Sequence, residues 1–441
     1  MKKILTAVSA FALAGFVAST AQAKITELNI GGSIELTGIY ADNTSDIKDT
    51  NVDGNNDQTA YYELNVDLDF VGKASENVEF AIKTEWNDLS DRGAANGSLE
   101  LDEAYITLKE FGYKPLTVTA GLTNPVISLR GDDAAMTDID MMGLTADLDF
   151  EPVQIKVFAG TLNETDNAIG SFEDAMDNDF ASNNKAFATQ SDDSVQGMIL
   201  DWWFGENNLV TGSVMHFQEA ADRAGSTKQV VNAKGEVVTV AVAGDNEKEA
   251  DYFQYILGAD WFFGQNIEAY GQIGMQDGDI DGNTDLDAFM LQIGAKYTFN
   301  SVDMKPFIDL GYKTLSGDDK NNNDNDDEAW RYNGDDDIAI LLEDELEYSS
   351  NLEQFRLLTG ISDVAGVKGL DLNFNFFYNQ TEENYVDNKD GIGEEYDFVA
   401  KYAYSEDVNL YAAWAHIDVD SDLSKDADDM DLLKWGVVVN F

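Results

Sequence analysis

The side chains best suited to chemistry in this sequence are carboxylates, and two stretches space them as an oxygen-rich cation loop would. "DTNVDGNND" offers Asp49, Asn51, Asp53 and Asp57, with Gly54 as the turn residue. "DGDIDGNTD" repeats the arrangement with Asp277, Asp279, Asp281 and Asp285 around Gly282. Oxygen ligands at alternate positions followed by a turn glycine form the first half of a Ca²⁺ loop. The bidentate Glu that closes such a loop is missing, since Ala60 and Ala288 stand at the twelfth positions. The competing reading is a solvated acidic loop, and no cofactor other than this optional Ca²⁺ is expected. A third constellation is "TNPVISLRGDDAAMTDID", where Arg130 stands beside Asp132 and Asp133, with Asp138 and Asp140 close behind. Opposed charges across a narrow opening would impose a transverse field on passing solutes. A loop folded over an outer rim is the alternative.

Catalysis finds little material. There are two histidines, His216 and His416, and no Cys, G-x-S-x-G or Gly-rich phosphate loop. The chain is expected not to be an enzyme. A formal net charge of -57 also argues against nucleic acid, because neutralising phosphates takes Lys and Arg.

The elements that must carry these groups have a period of two. Tyr62, Leu64, Val66, Leu68 and Phe70 alternate with Glu63, Asn65, Asp67 and Asp69, and similar rows start at Phe253, Phe289 and Leu370. Such alternation predicts strands with one apolar and one polar face. About eighteen segments qualify, each near the ~9–11 residues of a tilted membrane strand. "IAILLEDELEY" at Ile338 reads instead as a short helix within a loop.

Connections alternate between short ones, such as "EP" at Glu151 and "GQN" at Gly264, and long polar ones, such as 41–58, 161–193, 218–249 and 315–351. A transmembrane barrel sorts its turns this way, with tight turns on one rim and long loops on the other. "DWWFGENN" at Asp201 and "DWFFGQN" at Asp260 end strands in aromatics just before a tight turn, as do Phe70, Phe111, Phe150, Phe299, Tyr404 and Phe441. Aromatic rings settle where hydrocarbon meets headgroups.

The predicted fold is therefore all-β: a transmembrane antiparallel up-and-down barrel of about eighteen strands, with sixteen as the alternative. Residues 1–23 read as a secretory signal peptide, with Lys2 and Lys3 ahead of an apolar run and Ala21-Gln22-Ala23 at its end. Residues 24–441 form the single barrel domain. With apolar rows outward, the other parity lines a lumen: Glu63, Asp67, Lys83, Glu85, Lys156, Lys296, Asp309, Arg356, Asp371 and Lys401, with Glu35, Asp260, Lys313 and Asp397. A lumen so rich in charge is expected to be wet.

Across its full length the chain resembles the Gram-negative outer-membrane porins. The resemblance rests on the signal peptide, the alternating strands, the sorted connections and the ending "LLKWGVVVNF". It implies that Trp435 and Phe441, in an amphipathic last strand, serve as the signal read by the barrel-assembly machinery. It also implies that the third outer connection, 123–140, folds inward as the constriction, outweighing acids of the 315–351 connection. The expected function is a passive, cation-preferring channel for small hydrophilic solutes and ions in the cell outer membrane, in contact with its lipid. Alternatives are a substrate-selective channel for a polysaccharide or organic acid, and a surface adhesin anchored by its barrel. The sequence leaves monomer and homotrimer open.

Overall fold

The computed structural model describes residues 25–42, 59–86, 99–125, 141–162, 193–205, 207–219, 227–231, 237–241, 250–280, 284–318, 326–331, 339–341, 350–382, 391–420 and 429–441. The first nine strands are β1 (Glu27–Asp42), β2 (Thr59–Ser75), β3 (Val78–Trp86), β4 (Leu99–Leu108), β5 (Leu116–Thr123), β6 (Met141–Asp149), β7 (Val153–Leu162), β8 (Ser194–Phe204) and β9 (Asn208–Glu219). A small hairpin, β10 (Thr227–Val231) and β11 (Val237–Ala241), forms a sheet of its own. The large sheet resumes with β12 (Ala250–Phe263), β13 (Ile267–Ile280), β14 (Thr284–Thr298) and β15 (Phe307–Leu315). The two-residue β16 (Asp326–Asp327) lies parallel to β14. Then follow β17 (Leu352–Ile361), β18 (Leu370–Gln380), β19 (Gly391–Ala403), β20 (Val408–Val419) and β21 (Met430–Asn440).

Eighteen of these strands pair antiparallel with their sequence neighbours and close on themselves through β1 and β21. Closure is what allows the sheet to sit in hydrocarbon, because it leaves no row of N–H and C=O groups without partners. Among the described residues no α-helix occurs. Two expectations about connections are corrected. The stretch 218–249 holds the β10–β11 hairpin, whose five-residue runs are too short to read as spans. The stretch 277–286 is largely ladder: Asp277 pairs with Asp287 and Asp279 with Asp285, leaving only 281–283 between strands.

Strand β14 shows how side-chain alternation builds the two faces. Ile293 and Tyr297 point outward and are 48% and 40% exposed, while Met290 and Gln292 point inward and are 1% and 3% exposed. Around the barrel the outward parity carries Ile30, Leu257, Ile308, Leu310 and Phe374. Such a continuous apolar band suits lipid. At the short-turn rim the aromatics cluster: Phe204 meets Trp261 edge-on at 4.8 Å, and Tyr297 meets Phe299 at 4.7 Å. The opposite rim has its own girdle, which includes both histidines. His216 stacks on Phe253 at 4.4 Å and His416 on Trp414 at 5.9 Å, and each ring bonds an aspartate, Asp251 and Asp431 respectively.

Candidate functional site

The strand registers assemble the inner wall as rows of partners crossing several strands. One row runs Gln272, Gln292, Lys313, Gln354, Asn379 across β13, β14, β15, β17 and β18. The next runs Tyr270, Gly294, Gly311, Arg356, Phe377, Glu395, and the one beyond pairs Lys296 with Asp309. On the other side of the amide row lies an apolar shelf of Ile256, Gly274, Met290, Leu315 and Leu352.

The two glycines between Tyr270 and Arg356 decide what happens in their row. A β-carbon on Gly294 would collide with the Tyr270 hydroxyl, and one on Gly311 with Arg356 Nε. With the floor cleared, the two long side chains lie over it and meet. Arg356 Nη2 donates to the Tyr270 hydroxyl at 2.9 Å, and that hydroxyl donates to Asp309 Oδ1 at 2.8 Å. The guanidinium also lies 5.5 Å from the Tyr270 ring centre. Arg356 is only 1% exposed and Asp309 only 2%. Burying such charges is tolerable because each is bonded to the other through a neutral hydroxyl.

Two described parts of the long connection between β15 and β17, residues 330–331 and 339–341, lie inside the barrel. Trp330 seats on the apolar shelf, so close that a β-carbon on Gly274 would stand 2.8 Å from its ring. The next residue is clamped by its backbone: Arg331 N donates to Gln276 Oε1 at 2.8 Å, and Gln276 Nε2 donates back to Arg331 O at 2.6 Å. Further on, Leu341 N donates to Glu395 Oε1 at 2.6 Å, and Ile340 N donates to Asp397 Oδ2 at 3.4 Å. Ala339 and Leu341 are fully buried. Residues 339–341 are the described part of the segment expected to be a short helix within a loop; 332–338 and 342–349 lie outside the described residues.

The registers put all ten lumen candidates on the inward parity, but the wall is uneven. Glu63, Asp67, Lys83, Glu85, Lys156, Lys296 and Asp371 are half-buried and Lys401 is exposed, whereas Asp309 and Arg356 are buried. Lys83 Nζ bonds Glu103 Oε1 at 2.7 Å, and Asp371 and Lys401 are register partners. The wall thus has a more exposed side, which carries Glu63, Asp67, Lys83, Glu85 and Lys156, and a more buried side around Asp309 and Arg356.

The remaining candidates fall as follows. Arg130, Asp132, Asp133, Asp138 and Asp140 lie outside the described residues, although Pro125, which leads into them, is buried. Asp49, Asn51, Asp53 and Asp281 also lie outside them. Asp277 and Asp279 are exposed on the outward parity of β13, in extended strand rather than in a turn. Among the described residues no group of three or more His, Asp or Glu side chains is arranged to hold a metal ion. Trp435 lies outward in β21, edge-on to Tyr62 at 6.3 Å, and Phe441 is exposed at the short-turn rim. Sequence reasoning missed the amide row, Tyr270, and the inward placement of Trp330, Arg331 and residues 339–341. The amides and Tyr270 share the inward parity of known candidates, a signal that a search restricted to charge passes over.

No family model matches the sequence, and no curated protein matches it. Solved structures do. OprD, an outer membrane protein of Pseudomonas aeruginosa, superposes with a TM-score of 0.58 at 10% identity, covering 96% of each chain. OccK11 (OpdR) of the same organism gives 0.55 at 13% identity, covering 93% of this chain and 96% of its own. OccAB4 of Acinetobacter baumannii gives 0.54 at 13% identity, covering 95% of this chain and 99% of its own. At these identities the likeness is one of fold: this chain, a closed antiparallel barrel of eighteen strands, shares its fold with these Gram-negative outer-membrane barrels.

Proposed function

We propose that this protein is exported by its signal peptide to the outer membrane, where its barrel is a channel for passive diffusion of small hydrophilic solutes and ions, with a preference for cations. The observation that carries this reading is the division of the two faces. Lipid-compatible side chains cover the outside, while Glu63, Asp67, Lys83, Glu85 and Lys156 line the accessible side of the interior. A Lys or Arg at mid-membrane on the lipid face would cost ~2–4 kcal/mol, so charge is kept where water can reach it. The excess of acid over base in the whole chain gives the mouth a negative field, which concentrates cations.

Selectivity beyond size is favoured by the packed wall and the infolded segment, which leave the interior lopsided rather than round. The structural neighbour OpdK has been solved with vanillate, so a barrel of this fold accommodates a small organic solute. Arg130, Asp132 and Asp133 belong to the same proposal as charges of a second constriction. The test is single-channel recording of the purified protein in a planar bilayer, with reversal potential under a KCl gradient. A K⁺ preference at low salt that fades as the Debye length falls from ~10 Å at 0.1 M to ~3 Å at 1 M supports the reading. Anion preference at low salt, or no conductance, overturns it.

A further inference from the structure

The row Gln272, Gln292, Lys313, Gln354, Asn379 is unusual for the interior of a channel, because four of its five members are neutral amides. All five are 5% exposed or less. Gln272 and Gln292 bond each other at 2.5 Å. Gln354 and Asn379 do not: on both residues the amide nitrogen and the amide oxygen are buried without a hydrogen-bond partner, although the two stand opposite each other in the ladder. Gln254, farther along the same wall, also has an amide nitrogen without a partner. A folded protein rarely leaves one such group buried, and here two neighbouring side chains have all four of theirs turned to the interior.

We infer that this amide row is a binding track for neutral polyhydroxylated solutes such as hexoses and sugar alcohols. The inference rests on the channel reading above. An amide offers two N–H donors and an acceptor oxygen, and a hydroxyl both donates and accepts, so each solute hydroxyl answers both ends of an amide. A carboxylate accepts only, and would leave the amide oxygens facing a negative charge. The charges around the row lean to acid: Lys296, Lys313 and Arg356 share the wall with Asp260, Glu268, Asp309, Glu395 and Asp397. Arg356 is engaged with Tyr270, and through it Asp309. The wall thus has hydrogen-bonding capacity and, with acid in slight excess, no attraction for a carboxylate. A site built to bond hydroxyls discriminates strongly against solutes that lack them.

The test compares two six-carbon solutes of matched size, sorbitol and gluconate, in vesicles containing the full-length barrel. Uptake of labelled sorbitol should saturate with concentration and be inhibited by glucose, and gluconate uptake should show neither. Gln354→Leu with Asn379→Leu should raise the half-saturating sorbitol concentration roughly tenfold, the change expected for about one lost hydrogen bond. Should that double variant not assemble, the single Gln354→Met variant is measured in its place. Linear sorbitol uptake, or gluconate uptake that saturates at lower concentration than sorbitol, overturns the track. Loss of KCl conductance in the unaltered protein would instead overturn the channel reading, so the two failures are distinct.

Discussion

Gly311 faces Arg356 across the β15–β17 ladder, and a β-carbon on the glycine would come within 3.0 Å of both Nε and Cγ of the arginine. The glycine is the space the guanidinium occupies. Gly311→Val should push Arg356 off Tyr270 and destabilise the barrel by about 1–3 kcal/mol, the usual cost of overfilling a packed interior. Heat-modifiability on a denaturing gel measures this, as a lower temperature for conversion of the compact form. An unchanged conversion temperature would mean that Arg356 has another berth.

Arg356→Met removes a buried cation while keeping most of its volume. Asp309 then keeps only neutral Tyr270 of that relay, with Lys296 opposite, and the interior becomes more negative. The K⁺ over Cl⁻ permeability ratio should rise about twofold at low salt and return towards the parent value at 1 M KCl. Reversal potentials decide this; a fall in the ratio contradicts it.

The infolded turn hangs on two carboxylates. Glu395→Ala removes the acceptor for Leu341 N, and Asp397→Ala the weaker one for Ile340 N. Losing a charged acceptor that serves a buried N–H costs roughly 1–3 kcal/mol. The double variant should therefore show larger conductance and more frequent transitions between levels. Identical single-channel traces would show that Trp330 and the Gln276 clamp hold the segment alone.

Much of the barrel is legible in the sequence because a half-buried strand repeats its signal every second residue. Strands β6, β7, β9, β18 and β20 begin at Met141, Val153, Asn208, Leu370 and Val408, where alternation starts, and Pro152, Asn207 and Gly369 mark the turns ahead of β7, β9 and β18. The inward parity of Lys83 or Asp371 follows from the same count. Trp330 and Leu341 escape it: Trp330 is a lone large apolar residue in a run of Asp, Asn and Glu, and Leu341 sits in the unbroken apolar run 338–342, too short to show a period. The Tyr270–Arg356 contact escapes for another reason. It joins residues 86 apart through a register of three ladders, and a slip of one residue would turn either side chain outward. Val126, Ile127 and Leu129 mark 123–140 as the inward-folding connection, and 126–140 lie outside the described residues; Trp330, Arg331 and residues 339–341 of the sparser 316–351 connection lie inside the barrel.

Phe441→Asp should lower the amount of folded protein in the outer membrane several-fold, since the ring stands at the short-turn rim and the proposed assembly signal ends on it. Backbone pairing with Gly32 survives the substitution, so the purified variant should still refold in detergent. Fractionation against in vitro refolding separates these effects. Normal membrane levels would remove Phe441 from the assembly step.

Gly32 and Phe441 exchange backbone hydrogen bonds, N to O in each direction, at 3.2 and 3.1 Å. They belong to the ladder that joins β1 to β21, the one barrel seam made between strands remote in sequence. Every other seam can zip from a local hairpin, but this one must wait for both borders of the sheet to come together, and its loop-closure cost falls on a single event. Until then the chain is a ribbon with two open borders, each able to capture a foreign strand. Afterwards no strand can peel away without tearing two ladders at once. The seam therefore acts as a ratchet: it makes unfolding slow, and durability in the membrane becomes a matter of rate more than of equilibrium.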